Sequence, residues 1–343
     1  YGVLQMYLRS VTGCGGSIAL SKDLVVNLCK GLAHLTILSG PYYTSSLVRR
    51  CRGSGLCWAS CRVKRNVSRG WSETGYRNTR RTESPMRKPT PYQFARTIEE
   101  TSLNAWPALQ QIFHDGWILR FANNYSRRNN SVNAFYPGYW PAEIKIKHCE
   151  EIFFARRMAA TFRMTPFVHP FNLDALLGEA GYQVVSPTSV QVVDLSQLPW
   201  PAGRLEPIWW DFPDDRWINA YVRMNKVSSG KQGALREILN HIPVDTCFLG
   251  LQFQQQIVAC GLSVLDPPFL GLFDIVTEPV YRQQGFGREL MLQLARQARQ
   301  HAAETAYLQV VANNEPALRL YESLGFREIY QYWYRVKEDK KPD

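Results

Sequence analysis

The residues best equipped for chemistry are Arg282-Gln283-Gln284-Gly285-Phe286-Gly287, which stand between a β-patterned apolar run and an amphipathic helical one. A strand, an Arg-x-x-Gly-x-Gly turn and a helix together describe an anion-binding device. Glycine lets the backbone turn sharply and approach a ligand closely. The first amides of the helix have no partner within it, and the helix dipole favours negative charge there. A diphosphate is the natural occupant. Two other phosphate-binding patterns are excluded. A dinucleotide fingerprint needs a small residue where Leu290 stands, and a P-loop needs Gly-Lys-Ser/Thr at its end. A glycine-rich turn that merely caps a helix is the other reading that spacing alone leaves open.

The elements that must hold this turn are legible from periodicity. Residues 247–253, 257–265 and 269–276 read as three consecutive strands. The polar turns Gln254-Gln255-Gln256 and Asp266-Pro267-Pro268 separate them, as in an antiparallel meander. Residues 285–301 predict a helix with Phe286, Leu290, Leu294 and Ala298 on its apolar stripe. A strand at 307–311, a helix over 316–324 and a strand at 327–336 follow, and residues 206–224 and 233–242 upstream read as helices. Pro199-Trp200-Pro201-Ala202-Gly203 is loop chemistry and reads as a domain boundary. Before it, the spacing predicts helices over 92–109, 143–161 and 172–179. Strands are predicted at 116–122, 131–135 and 164–167, with a strand or hairpin over 184–195.

The 343 residues suit about two domains, and an apolar fraction of 45% is ample for two cores. No run of about 18 apolar residues occurs. Residues 24–38 come nearest, but Asn27, Lys30 and His34 interrupt them, and their flanks do not suit a secretion signal. The net charge of +11 is unevenly placed: residues 1–85 hold 13 Lys+Arg against 3 Asp+Glu, and the remainder 27 against 26. The globular part is thus nearly neutral, with no nucleic-acid or membrane partner expected. A nucleic-acid-binding role would rest on residues 1–85 alone. That segment also holds Cys51, Cys57 and Cys61, without the second pair a zinc site needs. It lacks periodicity and is expected to be a disordered or spurious extension, with organised sequence starting at Met86. Cys149, Cys247 and Cys260 fit buried thiols in a reducing cytoplasm.

Two stretches carry a family resemblance. One runs from Asp274-Ile275-Val276-Thr277-Glu278-Pro279 to the Arg282–Gly287 turn. The other runs from Leu308 through Asn313-Asn314-Glu315-Pro316 to Tyr321 and Gly325-Phe326. Both resemble the cofactor-binding half of the GNAT (GCN5-related N-acetyltransferase) superfamily, over roughly residues 205–336. From Met86 onward the chain also resembles bacterial proteins with two tandem GNAT-like halves. The resemblance implies an α/β protein of two such domains, residues 86–198 degenerate and 199–343 catalytic, each a mixed, mostly antiparallel sheet flanked by helices. It implies acetyl-CoA as cosubstrate, no metal, and a primary amine as acceptor.

The same resemblance implies residue roles. The backbone of Ile275, Val276 and Thr277 would pair with the pantetheine arm. Arg282 and the amides of Gln284, Gly285, Phe286, Gly287 and Arg288 would hold the pyrophosphate, and Asn314 would contact the cofactor arm. Tyr321 would protonate the departing thiolate. Asp274, or less aptly Glu278, would be the base. A faint repeat, Leu173 to Tyr182 against Ala317 to Phe326, supports two copies of one fold. The first copy has Leu177 where the second has Tyr321, and Tyr136-Pro137-Gly138-Tyr139-Trp140 instead of the glycine turn. It should therefore not bind acetyl-CoA. Its aromatics, Trp117, Phe121, Tyr125 and Phe135 among them, would pack the core or wall an acceptor pocket. A non-catalytic acyl-CoA sensor is the competing function, which an acid at Tyr321 disfavours.

Overall fold

A capping box opens the first helix. The hydroxyl of Thr90 accepts from the Gln93 amide at 3.2 Å, and the Gln93 side chain accepts from the Thr90 amide at 2.9 Å. The computed structural model describes residues 88–339, so the readings made on residues 1–85 lie outside the described residues. Helix α1 (Pro91–Ala105) leads into strands β1 (Gln110–His114), β2 (Trp117–Phe121) and β3 (Val132–Asn133). Helix α2 (Ala142–Ala155), β4 (Ala160–Met164), α3 (Leu173–Glu179) and β5 (Gln183–Asp194) complete the first half. The second half begins with β6 (Glu206–Trp210), α4 (Asp215–Asn225) and α5 (Ser229–Asn240). It continues through β7 (Asp245–Phe253), β8 (Gln256–Asp266), β9 (Phe269–Thr277) and α6 (Phe286–Arg299). It closes with β10 (Thr305–Val311), α7 (Glu315–Ser323) and β11 (Arg327–Lys337).

Among the described residues, eleven strands join in one mixed sheet, ordered β1-β2-β3-β4-β11-β5-β10-β9-β8-β7-β6. Only β3–β4 and β9–β10 pair in parallel. The two halves exchange strands at the centre. β5, from the first half, runs antiparallel to β10, and β11, from the second, runs antiparallel to β4. β5 and β11 also pair with each other, so the halves share a continuous ladder. The sheet expected for each half is therefore one joined sheet. Apolar residues cover both faces: Trp217, Leu235, Phe273 and Tyr307 belong to one layer, and Leu290, Leu294, Leu308 and Tyr321 to another. A third cluster, around Trp117, Phe153 and Phe162, packs the first half. Among the described residues, no helix is long and apolar enough to cross a membrane.

Three elements differ from their periodicity. Residues 206–224 are not one helix: Glu206–Trp210 is a strand on β7, from Glu206 opposite Gln252 to Trp210 opposite Phe248. The helix begins only after Pro213, where the Asp214 carboxylate accepts from the Arg216 amide at 2.8 Å. The helix predicted over 143–161 ends at Ala155, and Arg157 takes a left-handed φ of 55°. The residues beyond it join the sheet as β4, displacing the strand predicted at 164–167 toward the N-terminus. β1 has no counterpart among the predicted strands, although Asp115 and Gly116, at φ 43° and 85°, form the Asp-Gly turn that closes its hairpin with β2.

The Pro199–Gly203 loop is fastened to α6. The buried carboxylate of Glu289 accepts from the amides of Ala202 and Gly203, each at 2.8 Å. Glu289→Ala would leave those amides without their acceptor and should cost about 1–3 kcal/mol of stability. A denaturant midpoint equal to that of the wild type would show that this fastening contributes nothing.

Candidate active site

The glycine turn has the form its sequence predicts. Gly285 caps α6 at φ 84°, in the left-handed region, and Gln283 before it lies at φ 62°. The first turn closes with the Glu289 amide on the Gly285 carbonyl at 3.0 Å. That leaves the amides of Phe286, Gly287 and Arg288 without an acceptor inside the helix. Gly287 is informative because the protein around it does not demand a glycine. An added Cβ would meet Leu320 at 3.4 Å and the Thr277 hydroxyl at 3.6 Å, which is ordinary contact. Its bare backbone leaves the amides there open to close approach from outside the helix.

Several side chains around the turn are occupied. Arg282 Nε donates to the Thr277 carbonyl at 3.3 Å, Gln284 to the Val280 carbonyl at 3.4 Å, and Arg288 to the Ser323 hydroxyl at 3.0 Å. They brace the turn and leave the backbone amides as its free donors. The Asn314 side chain caps α7 by accepting from the Ala317 amide at 3.3 Å, so it positions that helix. Arg204, which the sequence reading missed, reaches the turn: its Nη1 lies 3.7 Å from where a Gly285 Cβ would be.

Beside the turn the sheet opens. β9 and β10 pair only from Phe269–Thr305 to Gly271–Tyr307. Beyond that, β9 follows β8 to Thr277, and β10 follows β5 to Val311. Ile275, Val276 and Thr277 thus border a gap between two diverging strands, where an extended ligand arm can pair with backbone.

A β-bulge in β9 sets the chemistry of this gap. Phe273 pairs with Leu262 and Val276 with Cys260, so Asp274 and Ile275 together oppose Gly261. Asp274 sits at φ 53°. Phe273 packs with the layer containing Trp217, whereas Ile275 packs with the layer under α6. The extra residue therefore points Asp274 to the same side as Phe273. There its Oδ1 accepts from the Tyr221 hydroxyl at 3.0 Å, while Oδ2 is buried without a partner. Burial pushes the carboxyl up to about 6, against the opposing influence of Arg128 and the Tyr221 hydrogen bond. Glu278, the other carboxylate considered, is committed to Arg223 at 3.0 Å.

Asp274 opens onto a cavity of about 570 Å³. Its walls come from both halves: Trp106 and Tyr125–Arg128 from one side, Tyr221 and Lys226–Ser228 from another, and Gln309 and Tyr332 from the sheet. Arg163 lies over the Tyr332 ring at 3.7 Å and pairs with buried Glu99 at 2.8 Å, which stiffens that wall. Of the first-half aromatics suggested as pocket walls, only Tyr125 lines the cavity. Trp117, Phe121 and Phe135 are core, and Tyr136, Tyr139 and Trp140 are exposed. Tyr321 lies on the other face of the sheet, packed on Phe326 with ring centroids 5.9 Å apart. Burial pushes its phenol up to about 12, so the hydroxyl keeps its proton at neutral pH.

A strand–glycine turn–helix unit beside a splayed parallel strand pair is the architecture of the GNAT N-acetyltransferase superfamily. The family model described as "Probable histone acetyltransferase Rv0428c C-terminal" matches residues 94–335, and the chain belongs to that family. It is 27% identical to "Uncharacterized N-acetyltransferase YobR" of Bacillus subtilis, over 71% of this chain and 98% of that one. Among solved structures it is similar to a GCN5-related N-acetyltransferase from Kribbella flavida. The TM-score is 0.55 at 17% identity, covering 71% of this chain and 95% of the other. It is also similar to a tandem GNAT protein from the clavulanic acid biosynthesis pathway. The TM-score is 0.50 at 13% identity, covering 62% of this chain and 76% of the other.

Proposed function

We propose that the chain transfers acetyl from acetyl-CoA to a primary amine, and that it does so as two tandem GNAT-like copies. Residues 86–198 are the degenerate copy, and residues 199–343 carry catalysis. The observation that carries this reading is the bulge that aims Asp274 into the cavity beside the opening of the sheet between β9 and β10. The free amides of the glycine turn would hold the diphosphate, with Arg204 beside them, and the open edge of β9 would pair with the pantetheine arm.

An amine reaches the site mostly as ammonium. Asp274, poised at about 6, is ionised at neutral pH and can take one of its protons. The nitrogen then attacks the thioester carbonyl, a C–N bond forms and the C–S bond breaks. The phenol of Tyr321 supplies the proton that the departing sulfur needs. The second proton shed by the nitrogen restores that phenol through solvent, and the proton on Asp274 passes to bulk water.

Acetyl-CoA titrated calorimetrically into wild type and Gly287→Val tests the site. The variant should lose about tenfold or more in affinity, since its side chain blocks close backbone approach, and keep its fold. Equal affinity would contradict the assignment of this turn.

A further inference from the structure

We propose that the acceptor is a small amine bearing a carboxylate or phosphate on the same molecule, its anionic group held by Arg128 and its nitrogen turned toward Asp274. This rests on the acetyltransferase reading above and narrows its substrate. The cavity, at about 570 Å³, has the size of a small-molecule site. Its charge is lopsided: Arg127, Arg128, Lys226 and Lys231 line it, against the single carboxylate of Asp274. None of these four cations takes part in an ion pair among the described residues.

Arg128 is the best placed of the four. Its guanidinium lies 5.7 Å from the Trp106 ring centroid and 5.6 Å from that of Phe273. Those aromatic faces hold it near the bulge while leaving its donor edge for a ligand. Gln309 adds a second donor. Its Oε1 accepts from the Tyr332 hydroxyl at 3.0 Å, but its Nε2 is buried without a partner. A buried amide N–H and an unpaired guanidinium lining one cavity call for acceptor oxygens. A polycation entering the same cavity would meet four like charges and one carboxylate. A molecule with one ammonium and one anionic oxyacid matches both ends.

The test compares kcat/KM in amine-dependent thiol release from acetyl-CoA. The probes are the standard α-amino acids, O-phosphoethanolamine, spermidine and a lysine-rich peptide, and the proteins are wild type, Arg128→Met and Lys226→Asn. The carboxylate or phosphate amines should lead, and their relative rates distinguish the two kinds of anion. Arg128→Met should raise KM for the best of them by about 10–100-fold while leaving KM for acetyl-CoA unchanged. Neutralising the anion on that acceptor, as its amide or ester, should impose a similar loss on the wild type and little further loss on the variant. Lys226 adopts φ 53°, a conformation asparagine tolerates, so Lys226→Asn should fold and show a KM increase of about 2–5-fold at low salt. If Arg128→Met does not fold, an unchanged KM in Lys226→Asn overturns the proposal. Faster turnover of spermidine or the peptide also overturns it, with the acetyltransferase reading intact. Acetyl-CoA binding without acetylation of any probe overturns that reading and this one together.

Discussion

Asp274→Asn is expected to lower kcat/KM for amine acetylation by about 10²–10⁴-fold, the usual worth of a positioned general base. Asparagine keeps the shape and can still accept from Tyr221, so the loss reports proton transfer. In the wild type the rate should rise with pH through about 6, as the Asp274 carboxyl ionises, and this limb should vanish in the variant. Stability should move the other way. Because burial raises the folded-state pKa, the folded protein holds a proton that the unfolded chain has released between the ordinary carboxyl range and about 6. The wild type therefore loses stability as pH rises across that window, and the asparagine variant does not. Relative to wild type, the variant should gain stability as pH rises from about 4 to about 6, with little further change above that. A variant with unaltered rates and an unaltered pH profile would make Asp274 a structural residue of the bulge.

Tyr321→Phe is expected to lower kcat by about 10²-fold with little change in acetyl-CoA affinity. The ring, packed with Phe326 and Leu324, stays in place, and only the hydroxyl is lost. The lower end of the range applies because the coenzyme A thiolate is a fairly good leaving group. A phenol pushed up to about 12 is protonated throughout the working range, so Tyr321 should contribute no falling limb near neutral pH. Equal turnover at saturating acetyl-CoA would return Tyr321 to packing.

The parts of the site that are local in sequence were legible there. The glycine turn, the meander of β7 to β9 and helix α6 all follow from glycine placement and periodicity within short windows. The bulge did not. Strict alternation would place Asp274 on the α6 side of the sheet, and only the extra residue opposite Gly261 turns it toward the cavity. The cavity itself was also out of reach, since Arg128, Tyr221 and Gln309 are brought together across two halves of the chain. No local signal marks them, because each reads as an ordinary loop, helix or strand residue. The strand exchange was hidden for a related reason. β5 and β11 are plain alternating strands, and their choice of neighbour is a tertiary decision. The strand at Glu206–Trp210 was missed for the same cause, its pairing with β7 outweighing a weak helical pattern.

The most direct test of the central claim is thiol release from acetyl-CoA by the full chain, read with and without a panel of primary amines. The account predicts release that depends on the amine, matched mole for mole by acetylated product in the mass spectrum, and abolished or strongly reduced in Asp274→Asn. Acetyl-CoA binding with no amine-dependent release, or release equal in Asp274→Asn and wild type, would contradict it.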